Sequence, residues 1–445
     1  MTQTPPDAVG TALGANSSSS RRKVWAWALW DWGTQPFATV ITTFVFSAYI
    51  TSTAFGQTNA TSLALATSSS LAGLVVALIA PVLGQNSDRT GRTVRNLRLQ
   101  TWLLALASAA LFFVRPEPAF LWLGLSILAV GSIIAEIANV NYYSLIEEVA
   151  TPADVGRVSG FGWGLGYLGG IVVLLALNFA FIAPQVGLFG VTGADSLDIR
   201  VSMLGCALWI VLFTIPTFLL LRDRPRAAAP RIGVAASYRL LWASVVRLYR
   251  TSPHTLAFLG ASALFRDGLS GLFAFGAVIA VGTFGFSASE VIIFGAAANV
   301  VAGLSTMAFG VLDDRIGPKR VILIALSALV VLCLAIFIFH DRGAIVFWVC
   351  GMATTAFVGP AQSASRSFLA RIIPAGKSGE IFGLYATTGR AVSFLSPAAL
   401  GAAIWLGAAI TGQENTQYWG ILGIVVVLLA GLLVLIPVRE HGHTV

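Results

Sequence analysis

Ionisable side chains interrupt several long apolar segments of this sequence. Three carboxylates and three arginines lie well inside such segments: Asp31, Glu136, Asp267, Arg266, Arg366 and Arg390. A charge at the centre of a bilayer costs about 2.5–3.5 kcal/mol on insertion scales. Chains keep such groups where they pair with one another or line a water-filled path. These side chains therefore predict a polar route through the apolar segments.

Helical spacing places further polar side chains on the same faces as these charges. Residues three or four apart share one face of a helix. Such neighbours are Gln35 with Asp31, Ser132 and Asn139 with Glu136, Ser262 and Ser270 with Arg266, Gln362 with Arg366, and Thr387 with Arg390. Arg266 and Asp267 are adjacent and point in different directions, so Arg266 is expected to face Asp31 or Glu136 across the path.

These residue types suit recognition of a small charged solute. Arg266 and Arg390 could hold a carboxylate, and Asp31 or Glu136 could hold an amine. Asp31, Glu136 and Asp267 are also candidates for proton coupling, because a partly dry cavity favours the neutral form of a carboxylic acid. The set predicted to contact substrate is Asp31, Gln35, Glu136, Asn139, Trp163, Arg266, Asp267, Gln362 and Arg390.

One short charged phrase occurs twice, about half of the 445-residue chain apart. Residues 84–92 read GQNSDRTGR and residues 310–318 read GVLDDRIGP, with Gly, Asp, Arg and Gly at equivalent positions. Residues 144–160 and 367–383 form a second similar pair at nearly the same offset. The chain is therefore predicted to consist of two related halves, which is the usual basis of alternating access in membrane transporters.

The loop charges are interpreted as a gate that holds the two halves together on one side and releases on opening. The residues assigned to the gate are Asp88, Arg89, Arg92, Arg157, Asp314, Arg315, Arg366 and Glu380. Arg366 has a second candidate role in the polar route; as a gate residue it would pair with Asp314. Gly162, Gly166 and Gly170, at G-x-x-x-G spacing, predict close helix packing.

The composition indicates a chain solvated mainly by lipid. Hydrophobic residues make up 57% of it and charged residues 10%, whereas soluble domains carry about 25% charged residues. The net charge of +8 does not indicate nucleic-acid binding, because the basic residues lie in short loops. Cys206, Cys333 and Cys350 lie in apolar runs and read as small hydrophobes. No disulfide, metal site or cofactor is predicted, and the absence of nucleotide-binding, metalloprotease and hydrolase motifs argues against an enzyme.

Segments of about 20 mostly apolar residues can cross the bilayer. Twelve are predicted, at 25–50, 61–84, 99–114, 119–143, 157–182, 199–221, 254–282, 289–311, 320–340, 344–370, 378–406 and 417–437. Most loop arginines and lysines fall on one side, with only Arg115, Arg200 and Arg342 on the other. Basic loops remain cytoplasmic, so both termini are predicted in the cytoplasm.

The predicted organisation is all-α, with two pseudo-symmetric bundles of six transmembrane helices. Residues 1–24 and 439–445 are read as cytoplasmic tails, the first of them disordered, and 25–221 and 253–438 as the bundles. The arginine-rich connector 222–252 contains an amphipathic stretch and is expected to lie along the membrane surface.

The repeated phrase resembles the inter-helix signature of the major facilitator superfamily, G-x-x-x-D-R-x-G followed by two basic residues. The second copy matches apart from Pro318 before the basic pair, and the first departs at Thr93. Residues 30–39 and 151–170 resemble signatures of the vacuole-effluxer-like branch of that superfamily. The resemblance implies that helices 1, 4, 7 and 10 line a central cavity, flanked by helices 2, 5, 8 and 11. The interior charges lie on these cavity-forming helices.

The function predicted from these features is secondary active transport of a small polar or zwitterionic solute, such as an amino acid or related metabolite. The branch's fungal member is linked to amino-acid efflux from the vacuole, whereas its bacterial members mostly have no assigned substrate. Two alternatives remain: an exporter of amphipathic compounds or organic anions, and a non-transporting membrane receptor or scaffold. The expected partners are the solute and the bilayer, and a monomer in a bacterial plasma membrane is the simplest assembly.

Overall fold

The computed structural model describes residues 20–223, 234–373, 376–413 and 415–439. The predicted tails 1–24 and 439–445 and the predicted connector 222–252 therefore lie partly outside the described residues. The described chain is helical throughout apart from short turns and one isolated β-bridge, Val186–Thr192. This confirms the all-α class expected from the sequence.

The first half contains six helical segments, of which the last five are long and apolar enough to cross a membrane. They are α1 (Arg21–Pro36, continued by a π-helical turn at Phe37–Phe44 and by Phe46–Ile50), α2 (Thr58–Thr90), α3 (Thr93–Ala110), α4 (Leu121–Ser144), α5 (Val155–Leu177) and α6 (Leu197–Leu220). The first segment is composite, because the π-helical turn separates its two α-helical parts.

The second half begins after the helix α7 (Val234–Thr251). Its membrane-crossing segments are α8 (Pro253–Phe284), α9 (Ala288–Ile316), α10 (Pro318–Ile338), α11 (Met352–Ile372), the pair α12 (Ser378–Val392) and α13 (Leu395–Thr411), and α14 (Gly420–Leu435). Across both halves, eleven helices of the described chain are long and apolar enough to cross a membrane. The predicted span 378–406 is broken at 393–394, which hydropathy alone did not reveal.

Helix α7 is amphipathic, as the connector sequence predicts. Leu241 and Leu248 are buried, whereas Trp242 and Tyr249 are exposed on the other side. The Tyr238 hydroxyl donates to the carbonyl of Leu78 in α2, at 2.6 Å. The helix therefore contacts α2 of the first half and α8 of the second half, and it exposes two aromatic side chains.

Prolines inside the helices create hydrogen bonds between helices. Proline has no N–H, so the carbonyl four residues earlier loses its helical partner. Pro81 frees the carbonyl of Ala77, which accepts from the Thr387 hydroxyl of α12 at 2.9 Å. In lipid an unpaired carbonyl is costly. The Thr387 hydroxyl satisfies the carbonyl that Pro81 leaves without a helical donor, and this bond links the two halves.

The halves meet through α5 against α9 and through α2 against α12. Glycines make this close approach possible. A Cβ added to Gly160 would lie 2.6 Å from the Thr306 carbonyl oxygen and 2.8 Å from the Cα of Gly310. Gly84 and Gly379 meet in the same way at the other contact. Backbone therefore packs directly on backbone at both interfaces.

The glycines singled out in the sequence serve a different contact. Gly162, Gly166 and Gly170 face α1, where added Cβ atoms would approach Trp27, Gln35 and Thr39. Helix α5 thus has glycine on two faces, one packed against α1 of its own half and one against α9 of the other half.

The interfaces between the halves lie toward one face of the molecule. We call it the basic face and define it by the loop residues 91–92, 150–154, 317, 373 and 376–377. Toward the opposite face, α13 packs against α14 and α8, and the π-helical turn of α1 packs against α5 and α6. These outer segments contact their own half, and Phe44 at the end of the π-helical turn also lies close to Gly295 of α9 in the other half.

Candidate functional site

Two acid–arginine pairs link the halves across the central space. The deeper one, toward the basic face, joins Asp31 of α1 and Arg366 of α11, with Nη1 and Oδ2 3.8 Å apart. The Arg366 side chain is fully buried, and Asp31 retains 14% exposure. Arg366 also donates to the hydroxyl and the carbonyl of Ser159 in α5, at 3.0 and 2.6 Å. A cation this deep is stable only because charge and hydrogen bonds replace water around it.

Aromatic rings complete the surroundings of Arg366. Its guanidinium carbon lies 4.8 Å from the ring centre of Trp27, 5.1 Å from Tyr143, 5.0 Å from Trp163 and 5.6 Å from Tyr142. Cations are attracted to aromatic faces within about 6 Å. We call these four rings the aromatic box. Trp163, predicted to contact substrate, therefore contacts Arg366 in this conformation.

The second pair joins Glu136 of α4 and Arg390 of α12, which form a direct ion pair. Their side chains are 31% and 36% exposed, so this pair remains open to the space between the halves. Sequence spacing placed both residues on the polar route but did not predict that they pair.

Arg266 has an environment different from either pair. Its guanidinium lies 3.8 Å from the ring centre of Tyr385 and donates to the carbonyl of Tyr385 at 3.0 Å. In the described part of the chain, no carboxylate lies within ion-pair distance of it. The expectation that Arg266 faces Asp31 or Glu136 is therefore wrong, because those acids pair with Arg366 and Arg390.

Asp267 also departs from its predicted role. Its carboxylate accepts from the backbone N–H of Ser396 at 2.7 Å and is almost completely buried. The break between α12 and α13 leaves N–H groups without helical partners, and Asp267 caps one of them from α8. It therefore stabilises a helix start within its own half instead of facing the central space.

The remaining predicted contact residues are half-buried side chains on these helices. Gln35 lies against Gly166 of α5, next to Asp31, and Asn139 and Gln362 share helices with Glu136 and Arg366. No further partner is recorded for Asn139 or Gln362 within the described residues. All three remain candidates for contacting substrate.

At the basic face, carboxylates of one half cap helices of the other. Asp88 at the end of α2 accepts from the N–H groups of Gly379 and Glu380 at 2.9 and 2.7 Å. Asp314 at the end of α9 accepts from those of Gly156 and Arg157 at 2.8 and 3.0 Å. A carboxylate at a helix N-terminus is favoured by both the hydrogen bonds and the helix dipole. The repeated loop phrase thus supplies two equivalent inter-half locks.

Arg371 forms ion pairs with the carboxylates at the end of α9. Its two terminal nitrogens lie 2.7 Å from Asp313 and 3.0 Å from Asp314. The predicted pairing of Arg366 with Asp314 is wrong, because Arg366 lies more than one helical turn deeper and contacts Asp31 instead. Asp313 is nearly inaccessible and also accepts from Ser367.

The other predicted gate side chains contribute less directly. Arg92, Arg157 and Arg315 are exposed, and Arg157 lies only 3.9 Å from Asp154 in an ion pair of its own half. Arg157 and Glu380 enter the locks through their backbone N–H groups. Arg89 is half-buried.

Sequence reasoning missed several residues of this site: Trp27, Tyr142, Tyr143, Ser159, Asp313 and Arg371. One signal was available for the aromatic residues. A deeply placed arginine needs more than one carboxylate around it, and aromatic faces are the partners that an apolar segment offers. Asp313 was overlooked because only its neighbour Asp314 aligns with Asp88 of the other copy.

Solved structures define the class of protein to which this fold belongs. The chain is similar to XylE, a major facilitator superfamily proton:xylose symporter, with TM-score 0.66 and 12% identity, covering 93% of each chain. It is similar to the superfamily transporter FucP in the outward conformation, with TM-score 0.65 and 14% identity, covering 93% of this chain and 98% of that one. At these identities the likeness establishes the fold, which is that of a major facilitator membrane transporter.

The sequence identifies the family within that class. The family model described as vacuole effluxer Atg22 like matches residues 147–442, and the chain belongs to this family. It is a family of secondary transporters in the membrane, not of enzymes, as the sequence predicted.

Two relatives illustrate the range of the family. The chain is 25% identical to the uncharacterized MFS-type transporter YxiO of Bacillus subtilis over 94% of this chain and 95% of the relative. It is 25% identical to autophagy-related protein 22-1 of Neosartorya fischeri, over 55% of this chain and 43% of that protein. The chain thus matches YxiO almost end to end but spans less than half the length of the fungal relative.

Proposed function

We propose that the protein moves a small zwitterionic solute, such as an amino acid or a related metabolite, by alternating access. The proposal rests on the charged groups near the buried Asp31–Arg366 pair. Arg266 has no carboxylate partner in the described chain, and the Glu136–Arg390 pair is only partly covered. A solute carboxylate fits Arg266 or Arg390, and its ammonium group fits Glu136.

The halves 25–221 and 253–438 are the moving units of this proposal, and the basic face is the cytoplasmic one. Arginine-rich loops remain cytoplasmic, and the contacts between the halves at the basic face lie on that side. The carboxylate locks and the Asp31–Arg366 pair then close the cytoplasmic side. Asp31 retains 14% exposure and is the candidate for carrying a coupling proton when Arg366 moves away.

Transport by proteoliposomes tests the proposal. Uptake of a panel of labelled amino acids is measured at two external pH values for the wild type, Arg266→Ala, Arg390→Ala and the control Arg342→Ala, an exposed arginine outside the route. We expect a loss of about 10- to 150-fold in the first two variants, because each removes a charge-assisted contact of about 1.5–3 kcal/mol. Unchanged transport in both would end their assignment.

A second candidate function is export of amphipathic compounds or organic anions. It is favoured by the aromatic surface between the halves, where Tyr167 stacks on Phe273 with ring centres 6.3 Å apart and Phe273 is 47% exposed. Thermal-shift screening separates the two candidates. Stabilisation by amino acids at concentrations where hydrophobic cations and anions have no effect supports the zwitterion, and the reverse order supports the exporter.

A further inference from the structure

The aromatic box belongs entirely to the first half of the molecule. Trp27 lies on α1, Tyr142 and Tyr143 on α4, and Trp163 on α5, and the nearby carboxylate, Asp31, is on α1. Arg366 is the single component that comes from the second half. When the halves separate at the basic face, Arg366 leaves with α11, and the rings and Asp31 remain together.

Contacts within the first half hold the box in shape. Trp27 stacks on Tyr142 with ring centres 4.5 Å apart, and its Nε1 donates to the Tyr142 carbonyl at 3.1 Å. Tyr142 also stacks on Trp30 at 4.3 Å and donates from its hydroxyl to Asp31 at 3.3 Å. Because these contacts do not involve Arg366, Trp27, Tyr142 and Asp31 remain linked when the guanidinium departs. Tyr143 stacks on Trp163 within the first half, with ring centres 6.0 Å apart, and also packs on Phe382 of the second half at 5.7 Å.

We propose that the vacated box, with Asp31, is a binding subsite for an alkylammonium group in the conformation that opens at the basic face. An organic cation lodged among aromatic faces beside a carboxylate gains both cation–π and charge attraction. Arg366 then acts as a tethered competitor that occupies the subsite whenever the basic face closes. This inference rests on the proposed alternating access and names the solute's cationic group as the one read here.

The hydrogen bonding of Arg366 indicates which cations fit. Its Nη1 is buried without a hydrogen-bond partner in the described chain, although it is the nitrogen nearest to Asp31. Around Nη1, the aromatic rings and the Asp31 carboxylate attract a cation, but no acceptor atom is positioned to take a hydrogen bond from it. Methylated ammonium groups, which have few or no N–H donors, suit such a site better than strongly hydrated metal ions.

A binding measurement on the purified full-length protein tests the subsite. Arg366→Gln leaves the box without its guanidinium, and tetramethylammonium chloride is titrated by calorimetry against sodium chloride of equal ionic strength. We expect a Kd at least about tenfold lower than for the wild type, since two or more aromatic contacts of about 0.5–1 kcal/mol each become available. An unchanged Kd would overturn the proposal.

Two further variants show whether the new site is the box. Trp163→Leu in the Arg366→Gln background removes one ring and should raise the Kd severalfold. Arg266→Gln is the matched control, because Arg266 stacks on the single ring of Tyr385, and it should gain no tetramethylammonium site. Equal affinity with and without Trp163, or an equal gain in Arg266→Gln, would overturn the assignment.

The subsite can still be tested if Arg366→Gln does not fold, and its outcome is judged separately from the proposed zwitterion transport. If Arg366→Gln does not purify as a monodisperse species, Arg366→Ala is purified with methylguanidinium, which refills the box and is then displaced by tetramethylammonium. Failure of displacement counts against the subsite. The zwitterion proposal is judged on transport by the Arg266 and Arg390 variants, so either proposal can fail while the other stands.

Discussion

The two inter-half pairs use the same chemistry in opposite surroundings. Asp31 and Arg366 are closed in by rings and Ser159, with the arginine side chain fully buried. Glu136 and Arg390 retain about a third of their exposure. A buried pair is costly to break because the remaining charge has no water, whereas a partly solvated pair can exchange its partner for a solute. We therefore assign closure of the basic face to Asp31–Arg366, the deep pair, and solute contact to Glu136–Arg390, the shallow pair.

Removing the deep arginine should have the largest effect on stability. Arg366→Ala leaves Asp31 without its counterion, and loss of one partner of a buried pair costs about 3–5 kcal/mol. We expect a fall of several degrees in the unfolding temperature of the detergent-solubilised protein. Arg390→Ala is the matched variant and should shift it little, since exposed pairs contribute about 0–1 kcal/mol. Equal shifts would remove the distinction between the pairs.

Exchanging the charges of Glu136 and Arg390 tests whether this pair only stabilises the structure or also binds the solute. Glu136→Arg combined with Arg390→Glu keeps an ion pair but reverses its direction. We expect near-wild-type unfolding temperature with transport still reduced at least about 10-fold, because the carboxylate and ammonium of a zwitterion each lose a charge-assisted contact of about 1.5–3 kcal/mol. Restored transport would show that the pair serves only to join the halves.

The locks at the basic face should have a smaller effect, on opening. Asp88→Asn weakens the charged cap on Gly379 and Glu380, which is worth about 1 kcal/mol. A cysteine in place of Ser363, which is buried against Ser159 of the other half, reports opening through its rate of maleimide labelling, which we expect to rise about fivefold. Asp314→Asn should act similarly, because the two caps are equivalent. A rate unchanged in both variants would argue against their role as locks.

The smallest expected effect concerns the hydrogen bond beside the shallow pair. Thr387→Val removes the donor to the Ala77 carbonyl, and such bonds between membrane helices are worth about 0.6 kcal/mol. Pro81→Ala returns a backbone donor to that carbonyl, so Thr387→Val should matter less in its presence. A double-mutant cycle on the unfolding temperature measures this coupling. Strict additivity would show that the proline does not prepare the contact.

The sequence predicted the all-α class and most of the long apolar helices, because hydropathy reports them directly. The duplication and the residues of the polar route stay predictions. It did not predict partners across the halves. Periodicity assigns Arg366 a face of α11, but whether it meets Asp31 or Asp314 depends on how the halves dock. Asp267 was misassigned for a related reason: the helix end that it caps arises from a break at Ser393 and Phe394. The available signal was Pro397, which cannot donate to the carbonyl of Ser393 four residues earlier.

Direct backbone contact at Gly160 with Gly310 and at Gly84 with Gly379 has a kinetic consequence. No side chain has to change rotamer or disengage from a groove when these surfaces part, so the surfaces themselves add little friction to the motion. The speed of interconversion is then set mainly by a few ionic groups. Substitution of single charged residues can therefore change the transport rate of such a molecule. A side chain introduced at any of these glycines would instead force the packed backbones apart.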